Sequence, residues 1–248
     1  MIISINMNNV TSPYIVDKGF IEELGKRTLG QYRLADPFPH VVIENFLPSD
    51  FLDNVVTDFD AIPENSWQVF KKDGYAYKLE AREMEDVGVH GREFFNQLNA
   101  PTFLRFLETL TGISGLIPDP YLMGAGFHKI PRGARLAIHA DFNWYEHFKL
   151  YRRVNLLCYL NEEWPENYGG HLELWDQSLI KCVKRVTPIF NRCVIFNTTD
   201  TSFHGYPHPL TCPDGSFRKA ATLYYYTNGR PATDGTLDPH KTFWKDIV

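Results

Sequence analysis

Hydrophobic and polar positions follow two different rhythms along the chain. In "PSDFLDNVVTDFD" (48–60), Phe51, Val55 and Phe59 recur every four residues. That period predicts a helix, which Ser49 or Asp50 could cap. The stretch "REFFNQLNAPTFLRFLETLTG" (92–112) also reads as helical, with Pro101 breaking it or opening a second helix and Gly112 stopping it. Ahead of both, "FPHVVIENFL" (38–47) reads as a strand around Val41, Val42 and Ile43. A short helix near Phe20 to Thr28 is expected in the polar opening stretch, and residues 61–90 show no deciding period.

From residue 121 the texture changes. Short runs of Val, Ile, Leu, Tyr and Phe alternate with Gly, Pro, Asn and Asp at 121–130, 135–142, 153–160, 170–175, 182–187, 192–197, 202–204 and 217–227. Up to eight strands at that spacing, after a helical portion, predict an α+β chain. The expected core is a double-sheet barrel or jelly roll with helices on one face. Strands and helices do not alternate, which argues against a doubly wound parallel sheet. The tail after Gly229 is polar and is expected to cover a surface.

Composition narrows the class. The 248 residues include 44% hydrophobic and 15% aromatic ones, enough for one sizeable core. The net charge of −5 is well mixed, so no general nucleic-acid or anionic-membrane surface is expected. No apolar run is long enough to span a bilayer, and the N-terminus lacks the pattern of a secretory leader. Cys158, Cys182, Cys193 and Cys212 show no Cys-x-x-Cys spacing, which suggests reduced thiols and a cytoplasmic setting.

On a strand, residues i and i+2 face the same way. In "LAIHADFN" (136–143), His139 and Asp141 therefore project together. An imidazole and a carboxylate on one face supply two of the three ligands of a 2-His-1-carboxylate set, which suits Fe(II) by leaving coordination positions open. The same spacing also describes a solvent-facing polar pair. "YGGHLELWD" holds a rival pair, His171 and Glu173, which spacing alone does not reject. His204, ending a short run before a Gly-Tyr-Pro turn, is the candidate third ligand, and His208 between two prolines reads as solvated. Arg218 opens "FRKAATLYYYT" and suits bidentate capture of a carboxylate, unless it is an exposed strand-edge charge. Lys219 falls on the opposite face and reads as solvated.

Taken in order, "GARLAIHADFN", "RRVNLLCYLNEEW", "YGGHLELWD" and "SFHGYPHPLTCPDGSFRKAATLYYYT" resemble the prolyl-4-hydroxylase-like branch of the Fe(II)/2-oxoglutarate-dependent oxygenases. "FPHVVIENFLPSDFLDNVV" resembles that branch's opening segment. The resemblance implies a double-stranded β-helix core (jelly-roll, cupin-like) with N-terminal helices packed on one sheet. It places the domain at 37–230, after an N-terminal extension (1–36) and before a C-terminal tail (231–248) packed on the domain. It implies that His139, Asp141 and His204 are the catalytic iron ligands, and that Arg218 pairs with the C5 carboxylate of 2-oxoglutarate. By alternation Arg153, Asn155, Leu157 and Tyr159 share a face, making Asn155 and Tyr159 candidate 2-oxoglutarate contacts. Leu172 is expected to pack against the co-substrate and His128 to give it a polar contact. Asn143, Trp144 and Arg153 are candidate substrate contacts. Plainer readings stand beside these: a packed His128, a turn-forming Asn143, a surface Trp144, and a solvated Lys149 and Arg152.

Two departures from the branch are visible. Many relatives carry a hydroxyl two residues after the co-substrate arginine, where this chain has Ala220. Collagen-type enzymes use lysine where this chain has Arg218. The implied activity is a dioxygenase using Fe(II), 2-oxoglutarate and O₂ to hydroxylate an unactivated C–H bond, with release of succinate and CO₂. The implied substrate is an amino acid, a peptide-like small molecule or a prolyl residue. Asp141 favours hydroxylation over halogenation, because halogenating relatives lack that carboxylate. The rival classes are a non-catalytic jelly roll that binds a sugar or metabolite, and a zinc hydrolase. Neither needs His139, Asp141, His204 and Arg218 together.

Overall fold

Four helices and a curled, mixed sheet of fifteen strands make up the computed structural model, which describes residues 2–4 and 18–245. The first half supplies β1 (Ile2–Ser4), α1 (Lys18–Arg33), β2 (His40–Glu44), α2 (Ser49–Asp60), β3 (Gln68–Lys72), β4 (Ala76–Ala81), α3 (Gly88–Leu98) and α4 (Pro101–Thr111). The second half is almost entirely strand: β5 (Ile117–Pro118), β6 (Gly126–Pro131), β7 (Leu136–Ala140), β8 (Trp144–Tyr145), β9 (Leu150–Tyr159), β10 (Leu172–Trp175), β11 (Cys182–Val186), β12 (Arg192–Asn197), β13 (His204–Tyr206), β14 (Phe217–Thr227) and β15 (Phe243–Trp244). The fold is α+β with a double-stranded β-helix core.

The expected helices form for the expected reasons, with adjustments at their ends. The early helix is longer than the sequence suggests and docks on α4. Leu52, Val55, Val56 and Phe59 make the buried stripe of α2. Its N-cap position is Pro48 with no side-chain cap bond, so neither Ser49 nor Asp50 caps it. Pro101 opens a second helix, where its missing N–H costs nothing, and Gly112 closes it with a left-handed backbone. The undecided stretch 61–90 holds the β3–β4 hairpin. All five residues of β3 are exposed, which removes the alternation that would have marked it as a strand.

The strands of the second half sort their side chains by face. Val154, Leu156 and Cys158 of β9 join Cys193 and Ile195 of β12 and Ala221, Leu223 and Tyr225 of β14 in the core against the helices. Tyr159, Leu172, Leu174, Val194, Phe196 and Ala220 form a second apolar cluster. The strand order β2-β12-β9-β14-β6-β4-β7-β13-β10-β11 curls, so that one cavity of about 450 Å³ is lined from β6, β9 and β14 and also from β7, β10 and β13. The polar tail returns over this cavity and ends in β15, which pairs with β7 at Phe243–Ala140 and Trp244–His139.

Candidate functional site

The chemistry begins where β7 and β13 meet. They pair antiparallel with His204 directly opposite His139. Gly205 makes the approach possible: a Cβ there would lie 2.7 Å from the Leu136 carbonyl oxygen and 2.8 Å from that of Ala137. His139 Nδ1 donates to the Ala137 carbonyl at 2.8 Å, and His204 Nδ1 donates to the Ser202 carbonyl at 2.9 Å. These bonds fix both tautomers and turn both Nε2 lone pairs inward. His139 Nε2 is 3.5 Å from Asp141 Oδ1, and His204 Nε2 is 3.5 Å from Asp141 Oδ2.

One donor atom from each of His139, Asp141 and His204 lies within 4.8 Å of the others. This is the one His/Cys/Asp/Glu group among the described residues with the spacing to hold a metal ion. Two neutral imidazoles and a carboxylate, buried together with their inward nitrogens free of protein donors, fit a divalent cation. Burial first, then His139, pushes His204 down to about 4, so it is neutral and able to ligate at ordinary pH. Burial alone would raise the Asp141 carboxyl, but Arg152 and the two histidines outweigh it and hold it well below the usual carboxylate range. The rival pair is elsewhere engaged: Glu173 binds Arg185 at 2.9 Å and Trp175 Nε1 at 2.9 Å, while His171 stays outside the cavity lining. His208 is exposed.

Around Asp141 lies a network that strand alternation conceals. Arg152 is 1% exposed, not solvated. Its guanidinium binds Asn155 Oδ1 at 2.9 and 2.7 Å, reaches Asp141 Oδ2 at 3.1 Å and stacks 3.4 Å from the Tyr224 ring centroid. Asn155 in turn donates to Asp141 Oδ2 at 2.6 Å. The cause is a β-bulge. Opposite consecutive Tyr225 and Tyr226 of β14 stand Val154 and Arg152, so Arg153 is an extra residue in β9. Strict alternation puts Arg153 on the inner face. The bulge instead gives the inner place to Arg152 and turns Arg153 away, where it pairs with Thr227 and Asp234 outside the cavity.

The opposite end of the cavity is cationic. Arg218 is 2% exposed and donates from Nε to the Gly170 carbonyl at 2.7 Å and from Nη2 to the Tyr159 hydroxyl at 3.3 Å. Its guanidinium carbon sits 4.5 Å from the Tyr206 ring centroid. Gly170, with φ +68°, lets its backbone approach: a Cβ would come 3.0 Å from Arg218 Cδ. Among the described residues no carboxylate pairs with this buried guanidinium. A charge so placed needs an anion, and the cavity is where one can reach it.

Leu172, Asn155 and His128 line the cavity with Arg218, while Tyr159 touches Arg218 from behind. His128 is buried between Thr222 Oγ1 (3.3 Å) and Lys78 Nζ (3.4 Å); burial first, then Lys78 and Arg218, push it well below its usual value. Asn143 serves the tail instead of the cavity. It donates to the Thr236 and Asp238 carbonyls at 3.3 and 3.0 Å and accepts from the His240 N–H at 2.9 Å. Trp144 lines a second groove outside the cavity, described below. Sequence reasoning missed Lys78, which binds Glu80 at 2.7 Å in the wall, and Trp244, whose ring lies 4.9 Å from His139. The unlabelled hairpin and the polar tail gave no period from which to find them.

Comparison with known proteins agrees with this geometry. Residues 125–226, which contain all three candidate ligands and Arg218, match the model of the 2OG-Fe(II) oxygenase superfamily. A mouse protein, prolyl 3-hydroxylase OGFOD1, is 27% identical over 205 residues, covering 80% of this chain and 35% of that protein. The chain thus spans about a third of the length of that curated relative. Among solved structures, a Trichoplax adhaerens prolyl hydroxylase in complex with a hypoxia-inducible-factor peptide fragment aligns with a TM-score of 0.63 at 19% identity, over 84% of this chain and 91% of that one. A Pseudomonas putida prolyl-4-hydroxylase aligns at 0.58 and 16%, over 83% and 100%. HygX from Streptomyces hygroscopicus, with nickel, 2-oxoglutarate and hygromycin B bound, aligns at 0.55 and 11%, over 82% and 87%.

Proposed function

We propose that this chain is an Fe(II)/2-oxoglutarate-dependent oxygenase that hydroxylates an unactivated C–H bond of an amino acid, a peptide-like small molecule or a prolyl residue. In this reading His139, Asp141 and His204 hold the iron, and Arg218 receives the distal carboxylate of 2-oxoglutarate. When bound, iron with 2-oxoglutarate and O₂ supplies the oxidising chemistry, with succinate and CO₂ as co-products. The single observation that carries the proposal is a buried Arg218 without a carboxylate partner, in the same cavity as a buried His–Asp–His set.

The chain's own residues then have distinct tasks. Gly170 and Tyr159 aim the Arg218 guanidinium, so that it meets a planar carboxylate with two parallel N–H groups. Leu172 and Ala220 give the space beside it an apolar wall, which excludes water from the co-substrate's carbon chain. Arg152 and Asn155 keep Asp141 ionised and restrain Oδ2, leaving Oδ1 the less encumbered oxygen. Neutral His128 with Thr222 adds a polar contact on the same wall.

The test is direct. Anaerobic protein with Fe(II) and 2-oxoglutarate should show a visible charge-transfer band, and O₂ should then yield succinate. Protein with neither band nor succinate would end this reading.

A further inference from the structure

A second space adjoins the catalytic cavity. It is a groove of about 460 Å³ between the β3–β4 hairpin and the C-terminal tail, lined by Phe70, Lys72, Phe142, Trp144, His240, Lys241, Thr242 and Trp244. Phe70, Phe142, Thr242 and Trp244 line both spaces, so the groove lies directly against the cavity. The groove's walls are aromatic, and none of its lining residues carries a carboxylate.

The charges inside and outside differ in a way that bears on the substrate. Inside, Lys78 is matched by Glu80 at 2.7 Å and Arg152 by Asp141 at 3.1 Å, while the half-buried Arg82 lies 3.8 Å from Glu83, which leaves Arg218 for the co-substrate. Among the described lining residues Arg82 is then the one weakly paired cation left for a substrate carboxylate, so the cavity offers a free amino acid little charge to bind. At the groove, Lys72 and Lys241 are exposed and neither ammonium has an ion-pair partner among the described residues. His240 is engaged with Asp200 at 3.1 Å, and the nearby Glu146 is already paired with Lys149. In a chain of net charge −5, this groove beside the site is lined by two lysines unpaired among the described residues and by no anion. The strand that supplies Phe70 and Lys72 is also paired on one side only among the described residues, with β4. Its second edge offers backbone donors and acceptors to an extended chain.

Resting on the oxygenase reading above, we infer that the substrate is an extended polypeptide segment with acidic residues beside the one oxidised. Its target residue enters the cavity past Phe142 and Trp244, and its acidic flank lies in the groove against Lys72 and Lys241.

The experiment uses the full chain loaded with Ni(II) and 2-oxoglutarate, which binds without turning over. Probes are blocked pentapeptides with a central proline flanked by glutamates, glutamines or lysines, together with free proline. Binding is followed through the change in tryptophan fluorescence, to which Trp144 and Trp244 at the groove contribute. The glutamate peptide should bind about fivefold or more tighter than the glutamine one at low salt, and lose that advantage at high salt. Lys72→Gln with Lys241→Gln should equalise the peptides. Lys72→Glu with Lys241→Glu should turn the preference toward the lysine peptide, a gain that misfolding cannot imitate. The inference is overturned if wild-type protein binds the glutamine peptide or free proline as tightly, or if both double variants keep the glutamate preference. Loss of the Fe(II)–2-oxoglutarate band in the wild type would instead count against the oxygenase reading itself.

Discussion

The two faces of β9 lie at the same depth and do opposite things. Toward the helices, Val154, Leu156 and Cys158 are fully buried among apolar neighbours. Toward the cavity, Arg152 and Asn155 are equally buried but bind each other and Asp141. Apolar burial stabilises the fold by roughly 25 cal/mol per Å². A buried ion network contributes little net stability, because desolvation offsets its attraction. One face holds the protein together, and the other spends its polar groups on holding a carboxylate in place. Substitutions on the two faces should therefore separate chemistry from folding.

The largest separation is expected at β7. His139→Ala should abolish the Fe(II)–2-oxoglutarate band and succinate formation while circular dichroism shows the fold retained. If the band survives there but vanishes in His171→Ala, the rival pair is the true one. Next, Arg218→Ala removes a buried cation that has no carboxylate partner among the described residues, and should weaken 2-oxoglutarate binding by about 2–5 kcal/mol, roughly 30-fold or more. Titration of the charge-transfer band measures this, and unchanged affinity would deny Arg218 its role.

On the helix-facing side the effect should reverse. Leu156→Ala should cost about 2–5 kcal/mol in urea unfolding, with the co-substrate affinity of the folded protein unaltered. A smaller and different signature concerns pH. Burial holds both His40 and His204 at about 4, against an ordinary 6.5. In metal-free protein the unfolded chain takes up protons at these sites below 6.5, whereas the folded chain does so only near 4. Stability should therefore fall as pH drops through that window, by on the order of 3 kcal/mol per histidine. His40→Asn should remove about half of the loss in a series of melting curves, and an unchanged slope would argue against burial as the cause. The smallest change is Ala220→Ser, which supplies a hydroxyl in the cavity wall beside Arg218. It should tighten 2-oxoglutarate binding by about 1 kcal/mol, roughly fivefold; weaker binding would mean that the wall has no room for it.

Legibility in the sequence followed the same division. His139, His204 and Arg218 sit on strands and Asp141 one residue past the end of β7, so that the i, i+2 spacing survives into the structure, and all four line one cavity. The longer strands after residue 121, and the helices ending at Asp60 and Thr111, were readable from their apolar residues, whereas the two-residue β8 and β15 were not. Three things were hidden. The bulge at Arg153 exchanged two adjacent arginines between faces, and no residue type announces a bulge of this kind. The hairpin that carries Lys78 exposes one of its strands on both sides. Trp244 reaches the cavity through a two-residue strand whose pairing partner lies about a hundred residues earlier.

That extra residue in β9 has a consequence for how such a protein can change over generations. With one insertion, neighbouring arginines serve separate modules: Arg152 the carboxylate beside β7, Arg153 the polar tail through Asp234. Deleting Arg153 would restore a regular ladder and leave Arg152 facing inward, yet free the tail from one of its moorings. A lineage can therefore loosen the tail that lines the groove by losing a single codon, without disturbing His139, Asp141 or His204.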